Sequence, residues 1–446
     1  MLKRKLYYRL KEWKQNSNGK TALLIKGARR VGKSYLVKAF GKNEYKSMVM
    51  IDFANVHENV IQTFESDKQD LDLFFSKLSL LYQTTLYERE SLIVFDEVQQ
   101  YPKARQFIKY LVADGRYDYI ETGSLLSIQK NIKDIVIPSE EEHIEMYPLD
   151  FEEFLWAIGD DVTIPFMTRC YEKLEPVGQA MHSTIMNRFR QYLLVGGMPQ
   201  AVEEYQKSKN FAEVDRIKRS ILNLYREDIA KFADEDASKV KAIFDAIPSQ
   251  LSKVEKKFIL AAADKNARFH TYIDALRWLK EAMIVNPCFN VLDPNIGFAL
   301  SSDYSTRKIY VQDTGLLVTQ AFYDNEFVDN DLYAALLFDK LNVNEGMIME
   351  NIVAQMLRTK GHQLYFYSKT DYENRSNMME IDFLLTKNKK ISPVEVKSAS
   401  YRKHSSLDKF RKKFSKKVGE SYILYSKDVM LRDGVIHLPL YMGMLL

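Results

Sequence analysis

The first third of the chain alternates continuous apolar runs with segments of helical periodicity. The apolar runs are TALLIKG (21–27), SMVMIDF (47–53), SLIVFDE (91–97) and YDYIETGS (117–124), and KSYLVKAF (33–40) is a helical segment between them. Apolar runs bounded by Gly and polar residues are typical of buried parallel strands joined by crossover helices. The pattern predicts an α/β domain with a parallel sheet over residues 1–150.

The pattern changes after residue 150. Residues 151–235 show only amphipathic helical segments, in PLDFEEFLWAIG, MNRFRQYLLVGG and EVDRIKRSILNLYREDI. Residues 236–325 give a helix at 270–283 and then three strand-like pieces, IVNPCFNVL, GFALSS and RKIYVQD, which is the order of a winged helix. Residues 335–446 begin with helical GMIMENIVAQMLRTKG and continue with strands LYFYS, EIDFLLT, SPVEVKS, SYILYS and GVIHLPL. We therefore expect a multidomain α/β protein.

Composition limits the class of protein. Of 446 residues, 46% are hydrophobic and 28% are charged, which is typical of folded globular chains. The net charge of +4 is too small to indicate a nucleic-acid or membrane partner by itself. The two cysteines, Cys170 and Cys288, lack the spacing of a disulfide framework or a metal site, which favours a reducing cytoplasm. No apolar stretch is long enough to span a bilayer and the first residues lack an export signal, so we expect a cytoplasmic protein without a membrane partner.

A phosphate-binding loop is predicted between the first strand and the first crossover helix. Residues 27–34 read GARRVGKS, a complete GxxxxGK[ST] in the strand and helix context that a P-loop requires. Gly27 and Gly32 let backbone N–H groups surround phosphates, Lys33 reaches the β- and γ-phosphates, and the Ser34 hydroxyl can ligate Mg²⁺. We expect ATP at this loop, bound by Gly27, Ala28, Arg29, Arg30, Val31, Gly32, Lys33, Ser34 and Tyr35.

A second signal follows at the end of the strand SLIVFDE. There Asp96 is placed to hold Mg²⁺, directly or through water, and Glu97 beside it to polarise the attacking water. A pair of acidic residues after a strand is often only a solvated turn. Together with the P-loop, the pair predicts a Walker B element, with Lys33 and Glu97 as catalytic residues and Ser34 and Asp96 as metal ligands.

The residues that carry these motifs also indicate a family. The chain resembles AAA+ superfamily ATPases of bacteria and archaea, related to the signal-transducing P-loop ATPases, that carry an uncharacterised C-terminal domain of restriction-endonuclease-like type. The resemblance rests on GARRVGKS, LIVFDEVQ, IETGS, YPLDFEEFL, YLLVGGMPQAV, KIYVQDTGLL and the 346–398 segment. It implies an ATPase core at 1–150, a helical lid at 151–235, a winged helix at 236–325 and a nuclease-like domain at 335–446.

The resemblance adds two nucleotide contacts. In IETGS it implies a polar residue that senses the γ-phosphate, Thr122 or Ser124, and we favour Thr122. The GGMP segment is similar to an element near adenine in the signal-transducing relatives, which implies a role for Pro199, although a simple helix stop explains the same residues. Where many relatives have Gly-Arg, this chain has Glu140-Glu141-Glu142-His143, so an arginine finger stays unassigned.

The C-terminal segment resembles the PD-(D/E)xK nucleases. Glu350 lies in a predicted helix, Asp382 in a strand, and Glu395 and Lys397 in the next strand. The resemblance implies a Mg²⁺ site of Glu350, Asp382 and Glu395, with Asp382, Glu395 and Lys397 as catalytic residues for cleavage of a phosphodiester. A solvated hairpin with an exposed Glu395–Lys397 pair is the alternative, and a retained nuclease fold can lose its chemistry.

Positive charge is concentrated in the same segment. Residues 341–446 contain 18 Lys and Arg against 11 Asp and Glu, and the basic residues cluster at 402–417 around one acid, Asp408. Such a stripe indicates DNA or RNA as a partner, although a solvated helix explains it as well.

The sequence supports two classes of function. The first is a Mg²⁺-dependent ATPase coupled to a nuclease-like domain that binds nucleic acid. The second is a nucleotide-gated switch whose nuclease fold is a degenerate interaction module, with a second copy or another protein as partner. A metabolic kinase is disfavoured because no acceptor site is recognisable.

Overall fold

The computed structural model describes residues 2–67, 69–124, 139–253, 255–262, 269–324, 345–369, 378–398 and 404–446. The chain divides into two compact units, the first containing Met1–Tyr147 with Glu281–Met283, and the second Pro148–Lys280 with Ile284–Leu446. The division of residues 151–446 into lid, winged helix and nuclease-like domain stays a prediction.

The first unit is an α/β layer built on one parallel sheet. Its strands β1 to β5 stand in the order β2-β3-β4-β1-β5, and all four neighbouring pairs are parallel. The strands are β1 Ala22–Lys26, β2 Ser47–Asp52, β3 Ser91–Asp96, β4 Asp118–Gly123 and β5 Glu141–Glu145. The helices are α1 Lys5–Ser17, α2 Lys33–Glu44, α3 Glu58–Ser66, α4 Leu71–Leu81 and α5 Pro102–Asp114.

The central strands of this sheet are apolar because helices cover both of its faces. Every residue of β3 and β4 is buried, so these strands read as continuous apolar runs rather than alternating ones. Because the strands are parallel, their carboxyl ends lie along one edge of the sheet, the edge where α/β proteins place their ligands. The ends of β1, β3 and β4 lie along this edge.

The second unit begins with helices. They are α6 Phe151–Ala157, α7 Thr163–Lys173, α8 Gln179–Val195, α9 Pro199–Ser208, α10 Phe211–Phe232, α11 Ala237–Leu251 and α12 Phe269–Glu281, followed later by α13 Thr314–Ala321, α14 Glu345–Thr359 and α15 Ser405–Lys413. Asp150 starts α6 with a capping box, in which its side chain accepts from Glu153 N and Glu153 accepts from Asp150 N.

Two sheets complete the second unit. One has the order β7-β6-β8-β9, with β6 Val285–Val291, β7 Ser302–Val311, β8 Tyr365–Lys369 and β9 Met379–Ile381. The other has the order β10-β11-β12-β14-β13, with β10 Phe383–Lys387, β11 Lys390–Val396, β12 Tyr422–Tyr425, β13 Met430–Arg432 and β14 Val435–Pro439. The parallel pairing of β6 with β8 joins the segment predicted as a winged helix to the C-terminal segment.

One predicted strand is wrong. The piece GFALSS was expected to be extended, but Phe298–Ser301 forms a 3-10 turn and the strand β7 begins at Ser302. The turn is held by Leu300 N, which donates to Gly297 O at 2.9 Å, and by Ser302 Oγ, which donates to Phe298 O at 2.8 Å. Only Phe298 of the four turn residues is buried, so the alternation that a half-buried strand needs is missing.

Candidate functional site

The predicted P-loop connects β1 to α2 at the carboxyl edge of the first sheet. Steric constraints explain why both positions of the loop are occupied by glycine. A Cβ on Gly27 would lie 2.5 Å from Met146 O, and Gly32, the N-cap of α2, has φ 95°, in the left-handed region that favours glycine. The loop therefore ends on a helix N-terminus whose first N–H groups are available to an anion.

Lys33 is the first residue of α2 and is buried, with 6% of its surface exposed. Its Nζ donates to Gly27 O at 3.0 Å and to Ala28 O at 3.1 Å, so the ammonium group crosses the loop from the inside. Burial lowers the pKa of Lys33, and the charges of Glu97 and Asp96 oppose that shift. The lysine is bonded to neutral carbonyl oxygens, which a phosphate oxygen can replace.

Asp96, at the carboxyl end of β3, connects three elements. Its Oδ1 accepts from Ser34 Oγ at 2.7 Å and also from Thr122 Oγ1, which stands on β4. Thr122 Oγ1 in turn accepts from Glu97 N at 3.5 Å. The P-loop serine, the acidic residue of the Walker B element and the predicted sensor threonine thus form one hydrogen-bonded group.

Glu97 has an unusual backbone conformation that the sequence does not reveal. Its φ is 51°, in the left-handed region, and its carboxylate accepts from Gln99 Nε2. Gln99 is buried and was missed in the sequence analysis, although its place two residues after Glu97 in DEVQQ is the signal that could have found it. Gln99 fixes the direction of the carboxylate that is predicted to act on water.

The other predicted nucleotide residues fall into two groups. Ala28 and Val31 are fully buried, so their backbone rather than their side chains faces a ligand, and the Val31 carbonyl accepts from Arg4 Nη1 at 3.1 Å. Arg29, Arg30 and Tyr35 are exposed. Pro199 begins α9 in the second unit, and Met198 separates it from the glycine pair that follows α8. Its role near adenine stays a prediction.

The segment Glu140–His143, where no arginine finger could be assigned, is in contact with an arginine from α5. Glu141 on β5 accepts from Arg105 of α5 twice, at 2.9 Å from Nε and 2.7 Å from Nη2. The neighbouring Glu121 on β4 is fully buried, and burial together with the charge of Glu141 raises its pKa well above the usual value. Arg105 therefore fixes the edge strand β5 to the body of the unit.

The predicted C-terminal residues are close together, but around a lysine. Lys308 of β7 has no exposed surface, and its Nζ lies 2.7 Å from Glu380 Oε1, 3.4 Å from Asp382 Oδ1 and 3.6 Å from Glu350 Oε2. Burial would lower the pKa of Lys308, yet the three carboxylates outweigh it and raise the pKa well above its usual value. The sequence analysis missed Lys308 and Glu380. We call Lys308, Glu350, Glu380 and Asp382 the Lys308 cluster.

Glu395 and Lys397 form a separate pair. Lys397 Nζ lies 2.5 Å from Glu395 Oε1, while Glu395 Oε2 is buried and has no hydrogen-bond donor among the described residues. Burial raises the pKa of Glu395. Lys308 lies between Glu350 and Asp382, and the Mg²⁺ site predicted from Glu350, Asp382 and Glu395 stays a prediction. Within the described ranges, no group of three or more His, Cys, Asp and Glu side chains is placed to hold a metal ion.

The basic segment 402–417 is partly engaged by its own chain. Lys413 Nζ donates to Tyr367 Oη at 3.2 Å, and Lys417 Nζ pairs with Asp293 at 3.2 Å. Lys412 and Lys416 are exposed. Arg402 and Lys403 lie outside the described residues. None of the helices in the described part of the chain is both long enough and apolar enough to cross a membrane.

Comparison with known protein families gives three matches that follow one another along the chain. Residues 19–155 match the family model described as an AAA domain. Residues 186–326 and 345–441 match two domains of unknown function, DUF8612 and DUF4143. No curated protein matches the chain. Residues 19–155 are therefore similar to an AAA domain, and the two later matches assign no activity.

Solved structures give weaker likenesses. C. elegans PCH-2 is 14% identical over 38% of this chain, with a TM-score of 0.21, and the match spans 47% of that protein. ORC1 of Aeropyrum pernix in complex with DNA is 12% identical over 73% of this chain and 94% of its own, with a TM-score of 0.26. AMPPCP-bound DnaA from Aquifex aeolicus is 14% identical over 63% and 90%, with a TM-score of 0.28. At such low scores these likenesses add nothing to the family match.

Proposed function

We propose that the first unit binds ATP together with Mg²⁺ and hydrolyses it. The observation that carries the proposal is the single hydrogen-bonded group in which Asp96 Oδ1 accepts from both Ser34 and Thr122, at the mouth of a loop crossed by Lys33. These residues come from the start of α2 and from the ends of β3 and β4, and they meet at the carboxyl edge of a parallel sheet. The match to an AAA domain covers all of them.

The residues at the loop fit Mg²⁺. The Ser34 hydroxyl and the Asp96 carboxylate are oxygen donors 2.7 Å apart, and Mg²⁺ in nucleotide sites takes one or two such protein ligands, with phosphate oxygens and water as the others. When bound, the ion would neutralise charge on the transferred phosphoryl group. Thr122 keeps the Asp96 carboxylate oriented through its hydrogen bond.

The chain's own groups then divide the work. The N–H groups at the start of α2 and the Lys33 ammonium bind the phosphates, with Lys33 exchanging the carbonyls of Gly27 and Ala28 for phosphate oxygens. Glu97, held by Gln99, orients the attacking water and accepts its proton.

The test of this function is the loss of nucleotide binding in Lys33→Ala. We expect at least a 100-fold weaker affinity for ATP in calorimetry, because the variant removes the one buried cation inside the loop. Lys38→Ala is the matched control, since Lys38 lies on the same helix and is exposed. Unchanged ATP affinity in a folded Lys33→Ala protein would contradict the proposal.

The position of Glu97 also favours a second candidate, the nucleotide-gated switch. Its Oε2 already accepts from Gln99 Nε2, so a water must bind through the remaining lone pairs of the carboxylate. In a switch, ATP occupancy fixes the arrangement of the domains without repeated turnover. The predicted lid, winged helix and nuclease-like domain are the parts that either mechanism would move, and a second copy or another protein is the proposed partner.

The C-terminal segment is proposed to bind DNA or RNA through its basic stretch. The supporting observation is that Lys412 and Lys416 are exposed, whereas Lys413 and Lys417 contact their own chain. Lys412→Glu with Lys416→Glu should weaken binding at low salt and lower the salt slope by about two. Lys241→Glu, at another exposed helical position, is the control. Absence of wild-type binding at low salt would refute this part and favour a protein partner.

A further inference from the structure

The Lys308 cluster joins residues that are far apart in sequence. Lys308 and Tyr310 lie two positions apart on β7 and so face the same side of the strand. Glu350 comes from α14, Glu380 from β9, and Asp382 from the junction between β9 and β10. The strand belongs to the segment matched at 186–326 and the carboxylates to the segment matched at 345–441.

The carboxylate oxygens of Glu350 and Asp382 already have donors. Asp382 Oδ2 accepts from Val396 N at 2.9 Å, while its Oδ1 faces Lys308 at 3.4 Å. Glu350 Oε2 accepts from Tyr310 Oη at 2.9 Å, and Glu350 Oε1 pairs with Lys256. Mg²⁺ or Mn²⁺ would need lone pairs of these same oxygens and keeps several waters around it. A metal ion would therefore have to compete with the N–H, O–H and ammonium donors that each of these oxygens already faces.

Most of the negative charge is also compensated without a metal, and one negative charge is left over. Glu350, Glu380 and Asp382 bring three negative charges when ionised, and the ammonium groups of Lys308 and Lys256 bring two positive ones, which is the charge of one divalent ion. Lys308 has no exposed surface, so its ammonium group cannot leave the cluster without displacing the side chains packed around it. A mobile surface lysine could give way to a metal more easily than this buried one.

We propose that Lys308 is a built-in cation that takes the place of the divalent ion in this nuclease-like segment, so that the Lys308 cluster joins β7 to α14 and the β9–β10 junction instead of forming a metal-dependent cleavage site. The segment is then an interaction module without phosphodiesterase chemistry. This inference does not depend on the ATPase proposal, because its residues and its readout lie outside the first unit.

The test is divalent-ion binding by the full chain in the absence of nucleotide. Mn²⁺ titrated into wild-type protein and into Asp382→Asn should be bound equally by both, measured as the loss of the free-ion signal in electron paramagnetic resonance. A Mn²⁺ ion that binds wild-type protein and is lost in Asp382→Asn would overturn the proposal. This measurement uses the wild-type protein as its reference and does not require a lysine variant to fold.

A second test removes the cation instead of a carboxylate. Lys308→Met leaves buried carboxylates without their cation, so its melting temperature should fall by about 10 °C, and Mn²⁺ should restore part of the loss in a concentration-dependent way. Lys308→Arg keeps the charge and should retain more of the stability. The control is Lys387→Met, which breaks a half-exposed ion pair and should shift the melting temperature by less than about 2 °C. A Lys308→Met protein with wild-type stability and no response to Mn²⁺ would contradict the proposal.

Discussion

Lys33 and Lys308 are both buried near carboxylates, and their partners give them opposite roles. Lys33 is bonded to two neutral carbonyls of its own loop, while Asp96 nearby is bonded to two hydroxyls. Lys308 is surrounded by three carboxylates at 2.7 to 3.6 Å. The first lysine can exchange its partners for an incoming anion at little cost. The second is saturated, and removing any partner leaves a buried charge.

The comparison shows why a complete motif is not a complete site. Both ends of the chain carry the residues that their motifs demand, in the right order along the sequence. At the P-loop the Lys33 ammonium is bonded to neutral carbonyls that an anion can replace, and the Ser34 and Thr122 hydroxyls share one oxygen of Asp96. In the Lys308 cluster, a cation from outside the motif lies among the carboxylates.

Among the variants that test this contrast, Glu97→Gln is expected to have the largest effect, a loss of ATP turnover. ATP turnover should fall by about 10²- to 10⁴-fold, the usual contribution of a general base, while ATP affinity stays within about twofold. Steady-state hydrolysis and calorimetry on the same preparation measure the two quantities. If turnover is unchanged, Glu97 is not the base; if turnover is lost but cellular function persists, the chain acts as a switch rather than as a motor.

The smallest effect is expected for Glu395→Gln. The folded protein raises the pKa of Glu395, chiefly through burial, so the neutral form is favoured in the fold and stability is lost as the pH rises through the folded pKa. At pH 7 the amide should raise the stability by roughly 1 kcal/mol, because a buried oxygen without a donor no longer carries charge. Near pH 4, where the wild-type carboxyl is itself neutral, the difference should vanish.

Thermal unfolding at the two pH values measures this difference, and ATP turnover should not change in the variant. The opposite result would be a Glu395→Gln protein that is less stable than wild type at pH 7, together with a stabilisation by Mn²⁺ of the wild-type protein but not of the variant. That result would identify Glu395 as a metal ligand and would remove the contrast between the two sites.

The members of the first site could be grouped from the sequence because they follow local rules. Gly27 to Ser34 are contiguous, and Asp96 and Thr122 end apolar strands whose parallel order brings them together. Gln99 could have been found in the same stretch. The left-handed backbone conformation of Glu97, whose carboxylate accepts from Gln99, has no sequence signature.

The C-terminal site could not be predicted in the same way. Lys308 lies 74 positions before Asp382, and a lysine in a strand is ordinarily an edge or surface residue. Only the pairing of β6 with both β7 and β8 brings that strand to the carboxylates. The acidic residues of the motif are recognisable in the sequence, but the cation that lies between them in the structure is not.

The most direct test of the account is the number of Mn²⁺ ions bound per chain with and without a non-hydrolysable ATP analogue. The account predicts one ion with the analogue, lost in Lys33→Ala and in Ser34→Ala, and no ion without it that depends on Asp382. An ion that binds without nucleotide and disappears in Asp382→Asn would contradict the account, since it would place a working metal site where Lys308 stands.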